Sequence, residues 1–399
     1  MRIIKRRSVV ALALGVSLAL GAAACGSDES TSEQPANGQS ASGGLPATIP
    51  LALLQDGTGP LAFYGTQLTA GVKAGIQAVE DSGILGDSKF ELSITDSASA
   101  ATTARTEFPK ILAAKPAAVI GPAISNEALA TAPLAEAAKI PYLVGTEMPG
   151  QEGDYLYSLT TPQTAQLKAL VSSVIAKEHG TISVIYANDN ATTSENEKVI
   201  VPYLAEAGIK IVDKVGVALA TTELAAVATK VIDGNPDAIL LISGGPQMPA
   251  AVKALRLAGY QGRLYGTGGA DGTIDSAESY ADGFVYTAEW APGLTGESSQ
   301  VFEKTFTAVN PDVSPHYPAV DGYNAVLFLA QALAKAGTTD HEALNEALGS
   351  VADEGFDGAG GKVEFGGDDG YRHAYGPVVF AEFHEGAVRT LDTAPAPIG

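Results

Sequence analysis

The side chains best suited to catalysis or metal binding are sparse in this sequence and lie far apart. The five histidines are scattered along the chain at His179, His316, His341, His373 and His384. None of them forms the His-x-x-x-His spacing that a zinc site on a helix needs. Cys25 is the only cysteine, which excludes intrachain disulfides and cysteine-cluster metal sites. Neither a Gly-x-Ser-x-Gly nucleophile motif nor a Walker loop occurs. We therefore assign no catalytic residue, metal or cofactor and expect a binding protein.

Glycine-rich and small-residue segments are the second chemically informative feature. Each follows a short run typical of a buried strand: Gln55–Gly65, Gly121–Ser125, Gly145–Glu147, Asn188–Thr193, Ser243–Pro246 and Gly266–Ala270. Ligands of open α/β sheets bind beyond the carboxyl ends of the strands. Small residues there let backbone N–H groups and helix N-termini approach a polar solute. The sequence therefore predicts a small-molecule site built from these segments.

Composition limits the partners of the chain. It has 399 residues, 45 of them Asp or Glu and 24 Lys or Arg, so the formal net charge is −21. A basic surface for nucleic acid or anionic membrane is therefore not expected. With 46% apolar residues and 45 glycines the chain is globular, and its length predicts two core-forming units.

The N-terminus has the layout of an export signal. A cationic start is followed by an apolar run over Val9–Leu20 and by small residues up to Cys25. Ala22-Ala23-Ala24-Cys25 resembles a bacterial lipobox, in which the cysteine is lipidated and anchors the protein, although Leu is more usual where Ala22 stands. We predict a lipoprotein signal over 1–25, exported by either the Sec or the twin-arginine route. Residues 26–47 are nearly free of large apolar side chains and are predicted to be a flexible linker.

From Ile49 onward, short apolar runs alternate with amphipathic ones. Strand-like runs occur at Ile49–Leu54, Phe90–Thr95, Ala117–Ile120, Tyr142–Val144, Ile182–Tyr186, Ile211–Val217, Ala238–Ile242, Leu264–Gly266 and Phe284–Thr287. Several are apolar at every residue, as expected of parallel strands covered on both faces. Between them, stripes such as Leu68, Val72, Ile76 and Val79 indicate helices. The series appears twice, which predicts an α/β protein of two doubly wound Rossmann-like lobes.

Five segments, in order and spacing, resemble the type I periplasmic binding proteins. They are Gly59–Gly86, Ala117–Gly145, Pro236–Gly259, Tyr323–Gly337 and Phe356–Phe365. The resemblance is to the branched-chain amino-acid (leucine/isoleucine/valine) binding proteins of ABC importers and covers nearly the whole body of the chain. It implies two lobes joined by a three-segment hinge with the ligand between them. The implied N-terminal lobe is 48–160 plus 290–352, and the implied C-terminal lobe is 161–289 plus 353–399.

The resemblance also implies ligand contacts. A Ser where Ser125 stands would hold the ligand carboxylate together with helix-start amides, although an ordinary helix cap is the alternative. Tyr64 would lie against the ligand side chain, and Thr146 near its polar groups. The full predicted set is Tyr64, Gly121, Pro122, Ala123, Ser125, Thr146, Glu147, Asp189, Gly245, Gly268 and Tyr317.

Two departures from the family pattern concern the ligand's α-ammonium group. The stretch Asn188–Thr193 lacks the tyrosine that usually closes over the ligand, and Gly266–Ala270 lacks the acid that pairs with the ammonium. Removing the partner of a buried charge costs several kcal/mol, roughly 3–5. Either Glu147, Asp189 or Asp271 replaces that acid, or the ligand is not an α-amino acid. We favour the second alternative.

These observations predict an exported, membrane-anchored, monomeric lipoprotein that delivers a small organic solute to an ABC permease and its ATPase. The solute would be a branched-chain amino acid or a related acid, amide or aromatic compound. A sensor module that signals to a membrane receptor is the alternative. A secreted hydrolase on a related scaffold is disfavoured because no nucleophile motif is present.

Overall fold

The computed structural model describes residues 44–366 and 371–397. The predicted signal at 1–25, Cys25, and the predicted linker up to residue 43 lie outside the described residues. The described residues contain two α/β sheets that consist mostly of parallel strands. This arrangement confirms the predicted fold class.

Eight strands of the described residues form the first sheet. In chain order they are β1 Thr48–Gln55, β2 Lys89–Asp96, β3 Ala118–Ile120, β4 Tyr142–Val144, β5 Leu156–Ser158, β11 Phe356–Gly358, β12 Gly361–Gly366 and β13 Arg372–Tyr375. The spatial order is β11-β12-β13-β5-β4-β3-β1-β2. Strand β12 runs opposite to the other strands, because it pairs antiparallel with both β11 and β13, and β13 is parallel to β5.

Seven strands of the described residues form the second sheet. They are β6 Thr181–Ala187, β7 Lys210–Val217, β8 Ala238–Ile242, β9 Arg263–Gly266, β10 Phe284–Ala288, β14 Pro377–His384 and β15 Ala387–Pro395. The order is β15-β14-β10-β9-β8-β6-β7. The hairpin β14–β15 pairs antiparallel with β10 and closes one edge.

Helices connect the strands. They are α1 Ala62–Ser82, α2 Ala101–Ala113, α3 Ser125–Ala138, α4 Gln163–Leu170, α5 Ala176–Glu178, α6 Ala191–Glu206, α7 Ala225–Asp233, α8 Gln247–Leu257, α9 Glu297–Val309, α10 Tyr317–Ala336 and α11 His341–Glu354. A π-helical turn, Val171–Ile175, joins α4 to α5, and short 3-10 segments occur at Gly268–Ala270 and Ile274–Ala281. No helix among the described residues is both long and apolar enough to cross a membrane.

Burial follows strand position. Every residue of β8 in the middle of the second sheet is buried, whereas the edge strand β2 of the first sheet contains only exposed and half-buried residues. A strand covered by helices on both faces must be apolar throughout, and an edge strand need not be. This contrast explains why the central strands are clear in the sequence.

Helices α1 and α10 pack with direct backbone contact. A Cβ atom on Gly71 would overlap the carbonyl of Ala319, and one on Gly322 would overlap the carbonyl of Leu68. Both glycines permit an approach that a larger residue would prevent. The crossing places the start of α10, at Tyr317, next to the start of α1.

Strands β11, β12 and β13 belong to the first sheet, so the prediction that residues 353–399 all belong to the C-terminal lobe is wrong for these strands. Strand β13 pairs parallel with β5, Arg372 opposite Tyr157 and His373 opposite Ser158. Phe365 stacks on Phe328 of α10 at a centroid distance of 4.7 Å. Apolar burial against α10 therefore holds this segment on the first sheet, and the chain returns to the second sheet only at Pro377.

Candidate ligand-binding site

A cavity of about 70 Å³ is bounded by segments that follow β1, β3 and β4 of the first sheet and β6 to β9 of the second. Its walls are Leu61, Tyr64, Ala123, Ile124, Ser125, Thr146, Gln163, Asn190, Thr192, Thr193, Leu219, Ser243, Gly244, Gly269 and Tyr317. Pockets for drug-sized ligands measure about 300–1,000 Å³. The cavity is therefore too small for a drug-sized ligand.

The first-sheet wall is the start of α3. Ser125 is 2% exposed, and its hydroxyl oxygen accepts a hydrogen bond from Nδ2 of Asn190 at 3.2 Å. The first N–H groups of a helix have no partner inside it, and the helix dipole adds partial positive charge there. Because Ser125 lines the cavity, these donors lie at its wall.

The second-sheet wall is the start of α6. The Asn190 side chain caps this helix by accepting a hydrogen bond from the Thr193 N–H at 3.2 Å, and the Thr193 hydroxyl donates to the Ala187 carbonyl at 2.6 Å. Thr192 lines the cavity with only 6% of its surface exposed, and its hydroxyl has no hydrogen-bond partner among the described residues. A buried unpaired hydroxyl at a cavity wall is available to a ligand.

The hydroxyl group of Tyr64, on α1, connects the first-sheet side of the cavity to the second-sheet side. It donates to the Gly269 carbonyl at 3.0 Å and accepts from the Gly245 N–H at 2.6 Å. Burial raises the pKa of Tyr64, so the phenol stays protonated and able to donate. The ring also packs against Tyr317 at a centroid distance of 6.2 Å, which adds an apolar part to the wall.

A second bridge joins Asp271, after β9, to the start of α10. Its carboxylate accepts from the Tyr317 N–H at 2.8 Å and from the Tyr286 hydroxyl at 3.1 Å, and it lies 3.1 Å from Nδ1 of His316. Three partners therefore already surround Asp271.

Two further buried acids are Glu289, which directly follows β10, and Asp321 on α10. Glu289 accepts from the Thr160 hydroxyl at 2.5 Å and the Thr161 N–H at 2.9 Å, and burial raises its pKa to about 7. Burial, together with the charge of Glu289, raises the pKa of Asp321, whose oxygens have no hydrogen-bond partner among the described residues. Neither acid lines the cavity. Within residues 44–366 and 371–397, no three His, Cys, Asp or Glu side chains are placed to hold a metal ion.

The sequence matches the family model of the periplasmic binding proteins over residues 48–387. The chain belongs to the periplasmic binding protein family. No curated protein matches this chain significantly.

Solved structures share the fold of this periplasmic binding protein at low sequence identity. The leucine-binding protein LivK of Thermotoga maritima is 21% identical with a TM-score of 0.77, over 88% of this chain and 99% of that one. A solute-binding protein of an ABC transporter from R. palustris, in complex with benzoate, is 20% identical with a TM-score of 0.76, over 88% and 98%. LivJ of Streptococcus pneumoniae, in complex with isoleucine, is 19% identical with a TM-score of 0.75, over 87% and 99%. The predicted resemblance to type I periplasmic binding proteins is confirmed.

Five of the eleven residues predicted to contact the ligand line the cavity of this periplasmic binding protein: Tyr64, Ala123, Ser125, Thr146 and Tyr317. The other six lie outside its wall: Gly121, Pro122, Glu147, Asp189, Gly245 and Gly268. The Glu147 carboxylate accepts from the Gln163 N–H at 2.9 Å, and the exposed Asp189 accepts from the Leu219 N–H at 2.7 Å. These two acids cap neighbouring backbone rather than face the cavity.

Several wall residues were not predicted individually, although most of them lie in the predicted segments. Asn190, Thr192 and Thr193 lie in the predicted strand-end segment Asn188–Thr193 but were not themselves predicted to contact the ligand. The signal that identifies them is an Asn followed by two Thr at the start of a helix, which is typical of a capped N-terminus. Gln163, the first residue of α4, and Leu219 lie outside the predicted segments.

Proposed function

We propose that this chain is the exported solute-binding component of an ABC importer and captures a small organic carboxylate that lacks an α-ammonium group. Membership of the periplasmic binding protein family supports the transport role. The observation that carries the choice of solute is the charge and polarity of the cavity wall.

The wall favours a negative group. The N-termini of α3 and α6 both reach the cavity, one from each sheet, at Ser125 and at Thr192. Both helix N-termini carry the partial positive charge of the helix dipole, which favours an anion between them. The unpaired Thr192 hydroxyl adds a side-chain donor. A carboxylate placed there would contact both lobes and stabilise the closed arrangement.

The wall does not favour an ammonium group. None of the described residues that line the cavity carries a charged side chain. The three acids that would replace the missing family acid are already bonded: Glu147 to Gln163, Asp189 to Leu219, and Asp271 to Tyr317. A zwitterionic amino acid would bury its ammonium without a counter-charge, a cost of several kcal/mol, roughly 3–5.

The structures that share the fold contain both kinds of ligand. One is a complex with isoleucine and another a complex with benzoate. The paired rings of Tyr64 and Tyr317 give the cavity an apolar side that suits an aromatic or branched carboxylate. We infer that the solute of this chain is, like benzoate, a carboxylate without an ammonium group.

The N-terminal sequence supports export and anchoring at Cys25. We propose that the chain faces the extracellular or periplasmic side as a lipid-anchored monomer, and that the lobes deliver the solute to a permease coupled to an ATPase. Replacing Cys25 with Ser is expected to release the protein from the membrane fraction and to abolish its labelling by radioactive palmitate. Retained labelling of that variant would contradict the anchor.

A thermal-shift screen with matched solutes tests the choice of carboxylate. Leucine is compared with its deaminated acid, and benzoate with benzamide. The acids are expected to raise the melting temperature because binding to the folded state alone stabilises it by mass action. The zwitterion and the amide are expected to leave it unchanged. Stabilisation by leucine but not by its deaminated acid would overturn the proposed solute.

A further inference from the structure

The ring of Phe63 lies directly on the backbone of Gly272. Phe63 is the second residue of α1, and Gly272 follows the 3-10 segment Gly268–Ala270 after β9. A Cβ atom on Gly272 would lie 2.7 Å and 2.9 Å from the two Cε atoms of the ring and closer still to Cζ. Carbon atoms that are not bonded to each other prefer a separation of about 3.5–4.0 Å. A residue with a side chain at position 272 would therefore prevent this contact.

The contact joins the two sheets. Phe63 packs against the buried core of the first sheet. Gly272 lies between Ala270 and Ile274, which are both fully buried in the core of the second sheet. Each partner is held by its own sheet, so a change in the separation of the sheets at this point breaks the contact.

The Phe63 ring belongs to a small aromatic cluster at this boundary. The Tyr64 ring meets it edge-on at a centroid distance of 5.5 Å, and Tyr64 donates to the Gly269 carbonyl. The ring of His316 lies 5.3 Å from it, and Nδ1 of His316 lies 3.1 Å from the Asp271 carboxylate. Three aromatic side chains of the first-sheet side therefore contact one short segment that follows β9.

The contact between Phe63 and Gly272 is separate from the solute site. Neither residue lines the cavity. The contact is apolar on both sides, so it stabilises through dispersion and removal of apolar surface from water. It therefore offers no polar group to a solute, and its effect on binding does not depend on the chemistry of the solute.

Backbone conformation is a second reason for a glycine at position 272. Its φ is +68°, a value that strains residues with a side chain. Gly83, at the end of α1, has a φ of +66°, but a Cβ atom there would meet nothing within 4 Å. A Gly83→Ala substitution therefore introduces the same kind of strain without the overlap, and comparison with Gly272→Ala separates the two reasons.

We propose that Phe63 and Gly272 form a latch, a contact that is made only in the closed state and slows release of the bound solute. Both are positioning residues, because they act on the solute through closure and do not touch it. The inference rests on the proposed function, since a latch matters only if two lobes close on a solute. It does not rest on the choice of a carboxylate, because the latch lies outside the cavity wall.

Release kinetics by stopped-flow dilution test the latch. The probe is benzoate, or leucine if benzoate leaves the melting temperature unchanged. Phe63→Ala is expected to release the probe about tenfold faster with a nearly unchanged association rate, because the contact is lost from the closed state alone. Phe90→Ala removes another half-buried phenylalanine of the same core and should release the probe as the wild type does. An unchanged release rate of Phe63→Ala would overturn the latch.

A double-mutant cycle tests the overlap at position 272. Gly272→Ala should weaken binding by about tenfold or more, because the new methyl group overlaps the Phe63 ring and holds the lobes apart. Gly83→Ala should lower the melting temperature through strain and bind as the wild type does. In a Phe63→Ala background, Gly272→Ala should cost little further affinity, since the ring that it overlaps is absent. Additive losses in the double variant would overturn the proposed contact.

Small-angle X-ray scattering measures closure itself. A saturating probe should reduce the radius of gyration of the wild type and of Gly83→Ala, and should reduce it less in Gly272→Ala. Binding by the wild type without any such reduction would overturn the latch.

The outcomes distinguish the latch from the proposed function. Faster release of leucine by Phe63→Ala, with no binding of benzoate, would overturn the proposed solute and support the latch. If no solute of the thermal-shift screen bound any variant, the proposed function and the latch would both be overturned.

Discussion

At the scale of single residues, neighbouring hydroxyl groups differ in whether the protein already satisfies them. Thr193 donates to the Ala187 carbonyl, whereas the Thr192 hydroxyl at the cavity wall has no partner among the described residues. The same side chain therefore stabilises the fold at one position and is available to a solute at the next.

Thr192→Val is expected to weaken carboxylate binding by about tenfold and to leave the melting temperature nearly unchanged, because the hydroxyl that it removes bonds to no protein group. Titration calorimetry and melting curves measure the two effects. Thr193→Val is the matched control, and it should lower the melting temperature by removing the bond to Ala187. Unchanged affinity of Thr192→Val would exclude this hydroxyl from the solute site.

Tyr64→Phe removes the hydroxyl that bridges the sides of the cavity but keeps the ring. Two hydrogen bonds, to Gly269 and from Gly245, are lost, so the closed state is disfavoured and solute affinity should fall by roughly tenfold. Calorimetry with the cognate solute measures this loss of affinity. Tyr203→Phe, at a half-buried position of α6 outside the cavity wall, should bind as the wild type. Equal affinities of both variants would show that the bridge does not contribute to closure.

The sequence predicts the location of the site better than the direction of its side chains. Ser125 and Tyr64 are found at the wall because a helix start and a strand-end segment can each be recognised locally. Glu147 and Asp189 are not, because whether a carboxylate faces a cavity or caps a backbone N–H depends on a partner that is distant or unremarkable in sequence.

At the scale of elements, the crossing of α1 and α10 positions Tyr64 and Tyr317 together. Gly71→Leu is expected to lower the free energy of unfolding by about 3 kcal/mol, because the new side chain would overlap the Ala319 backbone. Denaturant unfolding measures the loss. Lys73→Leu, at an exposed position of the same helix, should cost little. Similar losses for both variants would contradict the close contact of these helices.

Strands are predictable from sequence where both faces are buried, as in β8, and the predicted runs correspond to β1 to β4 and β6 to β10. The segment at 356–375 is harder to assign. Its strands are short. Long-range contacts determine which sheet they join, such as the stacking of Phe365 on Phe328 and the pairing of β13 with β5. Local pattern carries no information on that choice.

At the scale of the whole molecule, the pairing of His316 with Asp271 should make closure depend on pH. Burial alone lowers the pKa of His316, but the hydrogen bond and charge of Asp271 raise it above its usual value. Opening would separate the pair and return the pKa to about 6.5. Closure therefore takes up a proton. The stabilisation of the closed state by the His316–Asp271 pair is complete below about pH 6.5 and is lost as the pH rises through the raised pKa of His316.

Solute affinity should accordingly increase as the pH falls through this window, and calorimetry over a pH series measures the increase. His316→Gln should give a flat profile in the same window. A wild-type profile that matches the variant would show that the pair stays intact when the lobes open.

The central claim is that a small carboxylate closes two lobes by binding to the N-termini of α3 and α6. The most direct test is the distance between spin labels at Thr102→Cys and Thr222→Cys, in a protein with Cys25 replaced by Ser. Both positions are exposed and lie near the carboxyl ends of the edge strands β2 and β7. We expect the cognate carboxylate to convert a broad distribution into one short distance, and leucine to leave it broad. An unchanged distribution with every carboxylate, or the same shortening with leucine, would contradict the account.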